Sequence, residues 1–350
     1  MTPDRKDLAG ATERVAEMLR GYYVSQALYS AARLGIADLL AKMPGMEGGV
    51  EELATATGTQ GDSLYRLMRA LASEGVFEEV AGAGERKFKL NAMADVLRSD
   101  AIGTMRPAAL LAGETQYKVW TLLKETLKPG AVNGFERVFR TGLFEFLAEH
   151  PDLYANFNAV MASRVAEIRE ALIGACEVNA GDVIVDVGGG LGSVVAGLLE
   201  KHQGARGILL ETAGVIAEAE EELAENPVKE RMRFVAGDFL HGVPEGNVMI
   251  LVTVLHMFQD DKALKILRHC RGALAGKAIG GTVGRIYIAE GLLKGPNEKD
   301  TGKWQDLNMM MMTGGRERTF EEYAGLLGEA GFVKVERKGE LVVGWAADEG

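Results

Sequence analysis

Residues 183–192 read Val-Ile-Val-Asp-Val-Gly-Gly-Gly-Leu-Gly. An apolar β-type run carries one acid, Asp186, into a glycine-rich turn, and the next segment, Ser193 to Lys201, leaves as a helix. In an open α/β sheet such a crossing is a nucleotide site, because glycines let the backbone approach a ligand and a helix N-terminus offers unpaired N–H groups. The remaining fold assignment is built outward from this crossing.

Glycine spacing separates two cofactor classes. Dinucleotide binding asks for G-x-G-x-x-G under a pyrophosphate; here the glycines fall at 188, 189, 190 and 192, with Ser193 where the last would stand. The turn fits S-adenosylmethionine better than NAD, the competing reading being a tight turn with no ligand. A second short strand, Gly207 to Leu210, ends in Glu211, about 20 residues on, where an acid can accept both ribose hydroxyls. Met232 to Ala236 leads into Gly237-Asp238-Phe239, an acid and an aromatic suited to an adenine N–H and ring face. Val248 to Leu255 is a fourth apolar run, with His256 directly off its end. Each acid alone reads equally well as a helix cap or a solvated turn residue. Their recurrence at consecutive strand ends argues for one shared crevice.

The 350 residues, 47% hydrophobic and 25% charged, are enough for two globular domains. A net charge of −11 disfavours a nucleic-acid partner, which would need a basic stripe. Cys176 and Cys270 lie in helical-looking segments without metal-type spacing, so they read as buried thiols in a reducing compartment, and no metal is expected. Met1 to Arg14 has no apolar signal region, and no run reaches the roughly 18 residues that would span a bilayer. A cytoplasmic protein with no membrane partner is the expectation.

Three regions follow from the pattern: 1–100, 101–177 and 178–350. Apolar positions at helical spacing from Val15 to Leu40, stopped at Pro44-Gly45, fit two helices. Val50–Ala56, a Thr57-Gly58-Thr59 turn and Asp62–Glu74 form a helix-turn-helix, and Val76 to Leu90 alternates about a turn at 81–84 like a small wing. The second of these helices mixes Arg66 and Arg69 with Asp62, Glu74 and four apolar residues, so it reads as a packing helix, not a DNA reader. Residues 101–177 look wholly helical. From 178 onward strands and helices alternate, closing on two strands at Val333–Glu336 and Glu340–Trp345. The fold class is therefore α/β: a doubly wound, Rossmann-like domain behind a helical winged-helix domain.

In order along the chain come Asp-Val-Gly-Gly-Gly-Leu-Gly, Glu211, Gly-Asp-Phe, residues 254–261 (Val-Leu-His-Met-Phe-Gln-Asp-Asp), Ile288-Ala289-Glu290, and residues 314–319 (Gly-Gly-Arg-Glu-Arg-Thr). This order resembles the S-adenosylmethionine-dependent O-methyltransferases typified by the caffeic acid and acetylserotonin enzymes. The resemblance covers nearly the whole chain, and the Gly-Gly-Arg-Glu-Arg-Thr block is its most specific piece. It implies an N-terminal dimerisation domain, hence a homodimer, in keeping with more apolar surface on residues 11–42 than one small domain can cover. It implies methyl transfer to a hydroxyl of an aromatic or polyketide-type acceptor in secondary metabolism. It makes His256 the general base, with Glu290 and Glu317 flanking the imidazole; a phenol with a pKa near 10 needs such a base at neutral pH. Cofactor contacts fall to Asp186, Gly188, Gly190, Glu211, Asp238 and Phe239. The same resemblance implies that Phe157, Met161, Met309 and Met312 face the acceptor.

The departures from the family are specific. Met257 and Phe258 replace Asp and Trp after the histidine, and Glu211-Thr212-Ala213 replaces Asp-Leu-Pro. Val252 replaces the lysine that plant-type members place near the adenine, leaving Thr253 or backbone groups to serve. The Gly-rich connection Ala275 to Gly284 is long for the family and has no functional reading. A same-scaffold enzyme of different chemistry, C-methylation or hydroxylation, stands as the alternative, and a winged-helix nucleotide sensor as a further one.

Overall fold

The structure, a computed structural model, describes residues 5–80, 84, 86–274 and 283–346. Most of the expected turn at 81–84 and of the connection at 275–284 lies outside these residues. The chain divides into two compact units, Met1–Leu122 with Phe144–Ser163, and Leu123–Leu143 with Arg164–Gly350. Segment 101–177 is thereby shared between them.

In the first unit, residues 5–42 form three helices, Arg5–Leu19, Gly21–Leu34 and Ile36–Lys42, where the apolar periodicity suggested two. Gly35 makes the extra break: at φ 67° it closes the second helix in the left-handed conformation, its N–H on the Ala31 and Ala32 carbonyls. Helices Val50–Thr57 and Gly61–Ser73 follow, joined through left-handed Gly58. The wing is a three-stranded sheet ordered β1-β3-β2, from β1 (Glu47–Gly49), β2 (Glu78–Glu79) and β3 (Lys87–Lys89). A three-residue Glu-Gly-Gly strand carries no alternation, so β1 left no trace in the sequence pattern. Ile36, Leu40, Leu53, Met68, Leu71 and Phe88 fill the core between helices and wing. Val15, Met18, Leu19, Tyr22 and Tyr23 stay more than half exposed on the first two helices. That is an apolar face awaiting a partner.

The second unit is built on a seven-stranded sheet ordered β6-β5-β4-β7-β8-β10-β9. Its strands are β4 (Val183–Val187), β5 (Arg206–Glu211), β6 (Met232–Ala236), β7 (Val248–Val252), β8 (Arg285–Ala289), β9 (Lys334–Lys338) and β10 (Leu341–Trp345). Strands β4 to β8 pair in parallel, and only β10 runs against its neighbours, as the closing pair of strands suggested. Alternate residues serve opposite cores: Val185, Leu210, Met249, Leu251, Ile286 and Ile288 pack on one face, and Ile184, Val248, Ile250, Tyr287 and Val343 on the other. Burial on both faces explains why these strands read as unbroken apolar runs. The chain winds outward from β4 to β5 and β6, then returns to β7 on β4's other side. The reversal opens a crevice at the carboxyl ends of β4 and β7.

Candidate active site

Asp186, Glu211, Asp238 and Glu290 stand at or just past the carboxyl ends of parallel strands, His256 follows β7 by a short turn, and Glu317 comes from the loop before the helix Phe320–Ala330. At the end of β4 the turn uses its glycines differently. Gly188, Gly190 and Gly192 sit at φ 70°, 57° and 79°, where side chains are strained. Gly189 has ordinary φ but no room: a Cβ there would lie 2.3 Å from Asp186 Cγ. Asp186 is sealed beneath the turn, and neither of its oxygens has a hydrogen-bond partner among the described residues. Burial pushes its carboxyl up to about 7, and the Glu211 charge adds to it.

Glu211, at the end of β5, bridges the crevice by accepting from Gly190 N–H at 3.3 Å with Oε1 and from Thr212 N–H at 2.8 Å with Oε2. Burial raises its carboxyl as well. Asp238 is half exposed, one oxygen accepting from Leu240 N–H and the other 2.8 Å from His241 Nδ1. Phe239 lies against Gly188, 3.3 Å from where its Cβ would be, and meets Phe258 edge-on at 5.9 Å. A ligand rich in donors, an ammonium and a ribose diol, suits these acceptors. Orphaned Asp186 and partly committed Glu211 therefore fit the sulfonium cofactor.

The apolar run 248–255 is strand only as far as Val252. Thr253 adopts φ 53°, a left-handed conformation that costs a β-branched residue on the order of 1–3 kcal/mol. That kink turns the chain off the sheet into a single 3-10 turn, Leu255–Met257, which carries His256. His256 is buried, with Nδ1 3.0 Å from Glu317 Oε1 and 3.5 Å from Glu290 Oε2. Glu290, just past β8, also caps the turn, its Oε1 accepting from Val254 and Leu255 N–H at 2.9 and 2.7 Å. Burial, the largest single influence, pulls the His256 pKa down, but Glu290 and Glu317 together outweigh it and the net direction is upward from 6.5, with Arg164 opposing. Burial likewise raises the Glu290 carboxyl, against the pull of His256. The second oxygen of each carboxylate has no hydrogen-bond partner among the described residues. With Nδ1 engaged on this side, Nε2 is the nitrogen left for a reacting group.

Residues 314–319 wrap this turn, and each does a separate job. Gly314, at φ 76°, closes the helix Gly302–Met312 onto the Met309 carbonyl. Gly315 lets the two backbones meet: a Cβ there would lie 2.1 Å from His256 O and 2.5 Å from Met257 C. Arg316 N–H donates to His256 O at 2.9 Å. Glu317 reaches Nδ1, its own N–H held by Asp306 at 2.9 Å. Arg318 is fully buried against the turn. Thr319 caps the helix Phe320–Ala330 through a reciprocal pair with Glu322. Sequence reading found Glu317 but missed Gly315, Asp306 and Arg318. Adjacent glycines followed by two arginines next to a candidate base were the available signal.

Met309, Met311 and Met312 are buried and Met310 is half-buried, so three of the four consecutive methionines are interior. Phe157 and Met161 belong to the first unit, Phe157 meeting Phe144 edge-on at 6.0 Å. Both cysteines are free and buried. Among the described residues no helix is long and apolar enough to cross a membrane.

Comparison with known proteins identifies the family. Residues 120–333 match the O-methyltransferase domain family, and residues 16–100 match the O-methyltransferase dimerisation domain. The chain is 37% identical to a phenazine O-methyltransferase of Lysobacter antibioticus over 317 residues, covering 90% of this chain and 89% of that one. It superimposes on the mitomycin 7-O-methyltransferase with TM-score 0.86 at 28% identity, covering 98% and 99% of the two chains. An O-methyltransferase of neocarzinostatin biosynthesis, solved with S-adenosylmethionine and 2-hydroxy-5-methyl naphthoic acid, aligns with TM-score 0.77 at 26% identity over 92% of this chain and 94% of its own. With the family matched along both of its domains, this chain belongs to the O-methyltransferases and is an S-adenosylmethionine-dependent member carrying the family's dimerisation domain.

Proposed function

We propose that this enzyme methylates a hydroxyl oxygen of an aromatic or polyketide-type small molecule of secondary metabolism, with His256 as general base. The observation that carries the proposal is the buried His256 with both neighbouring carboxylates on Nδ1. Nδ1–H donates to Glu317, so neutral imidazole presents a bare Nε2 to the acceptor's O–H. Bound S-adenosylmethionine supplies an electrophilic methyl group and leaves as a neutral thioether. His256 takes the acceptor proton as the C–O bond forms. Glu290 and Glu317 stabilise the resulting imidazolium and hold its ring.

Asp186, with Gly188 and Gly190 giving backbone approach, is assigned to the cofactor's ammonium side, Glu211 to the ribose, and Asp238 and Phe239 to the adenine. Thr253 is assigned to the cofactor where related enzymes of the plant type use a lysine. Met309 and Met312 are assigned to the acceptor, since thioethers make adaptable walls for flat ligands. Support for this acceptor class comes from the phenazine and naphthoic acid named for relatives. The exposed apolar face of the first two helices and the matched dimerisation domain support a homodimer. A membrane or nucleic-acid partner has no part in this proposal.

An acceptor screen with methyl-labelled S-adenosylmethionine tests the proposal. It predicts products one methylene heavier that have lost a phenolic proton. Label found only on carbon, or oxygenated products, would favour the alternative chemistries on the same scaffold.

A further inference from the structure

Arg318 is a full charge with no exposure to solvent. A guanidinium has five N–H donors, and here all five are used. Nε donates to Asp260 Oδ1 at 3.0 Å, and Nη2 to the same oxygen at 2.8 Å. Nη2 also donates to Phe258 O at 2.8 Å, while Nη1 donates to Leu255 O and Arg316 O, each at 3.2 Å. Leu255 and Phe258 bracket the turn that carries His256. Arg316 leads the loop segment that delivers Glu317. One planar group thus ties both ends of the base's turn to the segment bearing its carboxylate partner, and the Tyr323 ring lies 5.6 Å beneath it.

We propose that Arg318 is a positioning residue for methyl transfer: braced by Asp260, its guanidinium fixes the His256 turn against Glu317 and so sets the direction of the imidazole. The rate consequence rests on His256 being the base, as proposed above. A lysine keeps the charge but cannot reproduce the fork, since three donors on one atom cannot span three carbonyls and a carboxylate in fixed directions. Loosening the clasp lets the turn drift from Glu317. Because the carboxylates raise the His256 pKa above 6.5 against burial, drift lowers it. A residue that merely filled the core would affect folding and leave this titration where it was.

The test is the pH titration of the His256 imidazole by NMR, its signal assigned by difference from His256→Ala, in the full-length protein and in Arg318→Lys. Methyl transfer is followed across the same pH range. The expected result is a downward shift of the His256 titration, kcat lower by roughly 10²-fold from sub-ångström misplacement, and S-adenosylmethionine affinity within about twofold of the parent, a margin far below one tenfold step of 1.4 kcal/mol. If Arg318→Lys does not fold, Asp260→Asn, which removes the brace but leaves the guanidinium, shifts the titration in the same direction by less. An unmoved titration in the folded variant overturns the inference. If the parent's rate follows no His256 titration, the base assignment fails while the NMR shift still decides the role of Arg318.

Discussion

His256 Nδ1 lies 3.0 Å from Glu317 Oε1, and Arg316 N–H, one residue before that glutamate, lies 2.9 Å from the His256 carbonyl oxygen. The same two-residue segment therefore fixes both the backbone and the ring of the histidine. Orientation is built into the fold and does not wait for the acceptor.

Glu317→Gln should lower kcat/KM by roughly tenfold, the loss of one charge-assisted hydrogen bond of about 1.5–3 kcal/mol tempered by the remaining amide oxygen. It should also move the acid limb of the rate profile to lower pH. A histidine base works only when neutral; with its pKa raised above 6.5, activity rises as pH passes upward through that raised value. Removing a carboxylate lets the value fall. A kinetic pH profile that keeps its acid limb in Glu317→Gln would contradict the assignment of that limb to His256.

Gly315→Ala should cripple the enzyme even though only one methyl group is added. The added carbon would sit 2.1 Å from His256 O and 2.8 Å from Met257 Cα, and backbone cannot step aside as a flexible side chain can. Overpacking of this sort costs about 1–3 kcal/mol. Gly325, inside the helix Phe320–Ala330 with open space at its Cβ, makes the contrast: Gly325→Ala should raise the melting temperature, since helical glycine costs about 1 kcal/mol relative to alanine. Equal stability changes in the two variants would contradict this reading of the clash.

Cofactor affinity should depend on pH through Asp186. Its carboxyl is raised to about 7 by burial, so below that value it is mostly neutral. A cationic ligand group nearby favours the charged form, so binding releases a proton. Affinity should then weaken by up to about tenfold per unit as pH falls below about 7 and level off above it. Calorimetry in buffers of different ionisation heat measures both the affinity and the proton release. Asp186→Asn should flatten the dependence, and a flat profile in the parent protein would remove Asp186 from the binding account.

Charge placed on the exposed face of the first two helices should split the dimer. Met18, Leu19, Tyr22 and Tyr23 are each more than half exposed, and a stable homodimer interface buries roughly 2,000 Å² or more of largely apolar surface. Leu19→Lys with Tyr22→Lys should convert a dimer to a monomer by light scattering at micromolar concentration. A parent protein that is monomeric there would contradict the dimer.

Periodicity carried most of the fold because both faces of the large sheet are buried, which makes β4, β7 and β8 read as apolar runs that glycine and acid punctuate. It failed where conformation is decided by single residues. Left-handed Gly35 split a helix, and Thr253 at φ 53° stopped β7 three residues short of its apolar run. Asp186, Glu211 and His256 could be picked out because apolar runs end at them, and Glu290 through the family resemblance. Gly315, Asp306 and Arg318 could not, since their importance lies in what their backbone or guanidinium touches about 60 residues away in sequence or across a helix end. No local pattern encodes that.

The central claim is that His256 removes the acceptor proton, and single-turnover methyl transfer by the parent and His256→Ala, measured from neutral pH up toward the phenol's pKa near 10, tests it most directly. The account predicts a deficit of about 10²-fold or more at neutral pH, unchanged cofactor affinity, and a gap that narrows as the acceptor ionises without help. Full activity of His256→Ala at neutral pH would contradict it, leaving proximity of donor and a pre-ionised oxygen as the whole of the catalysis.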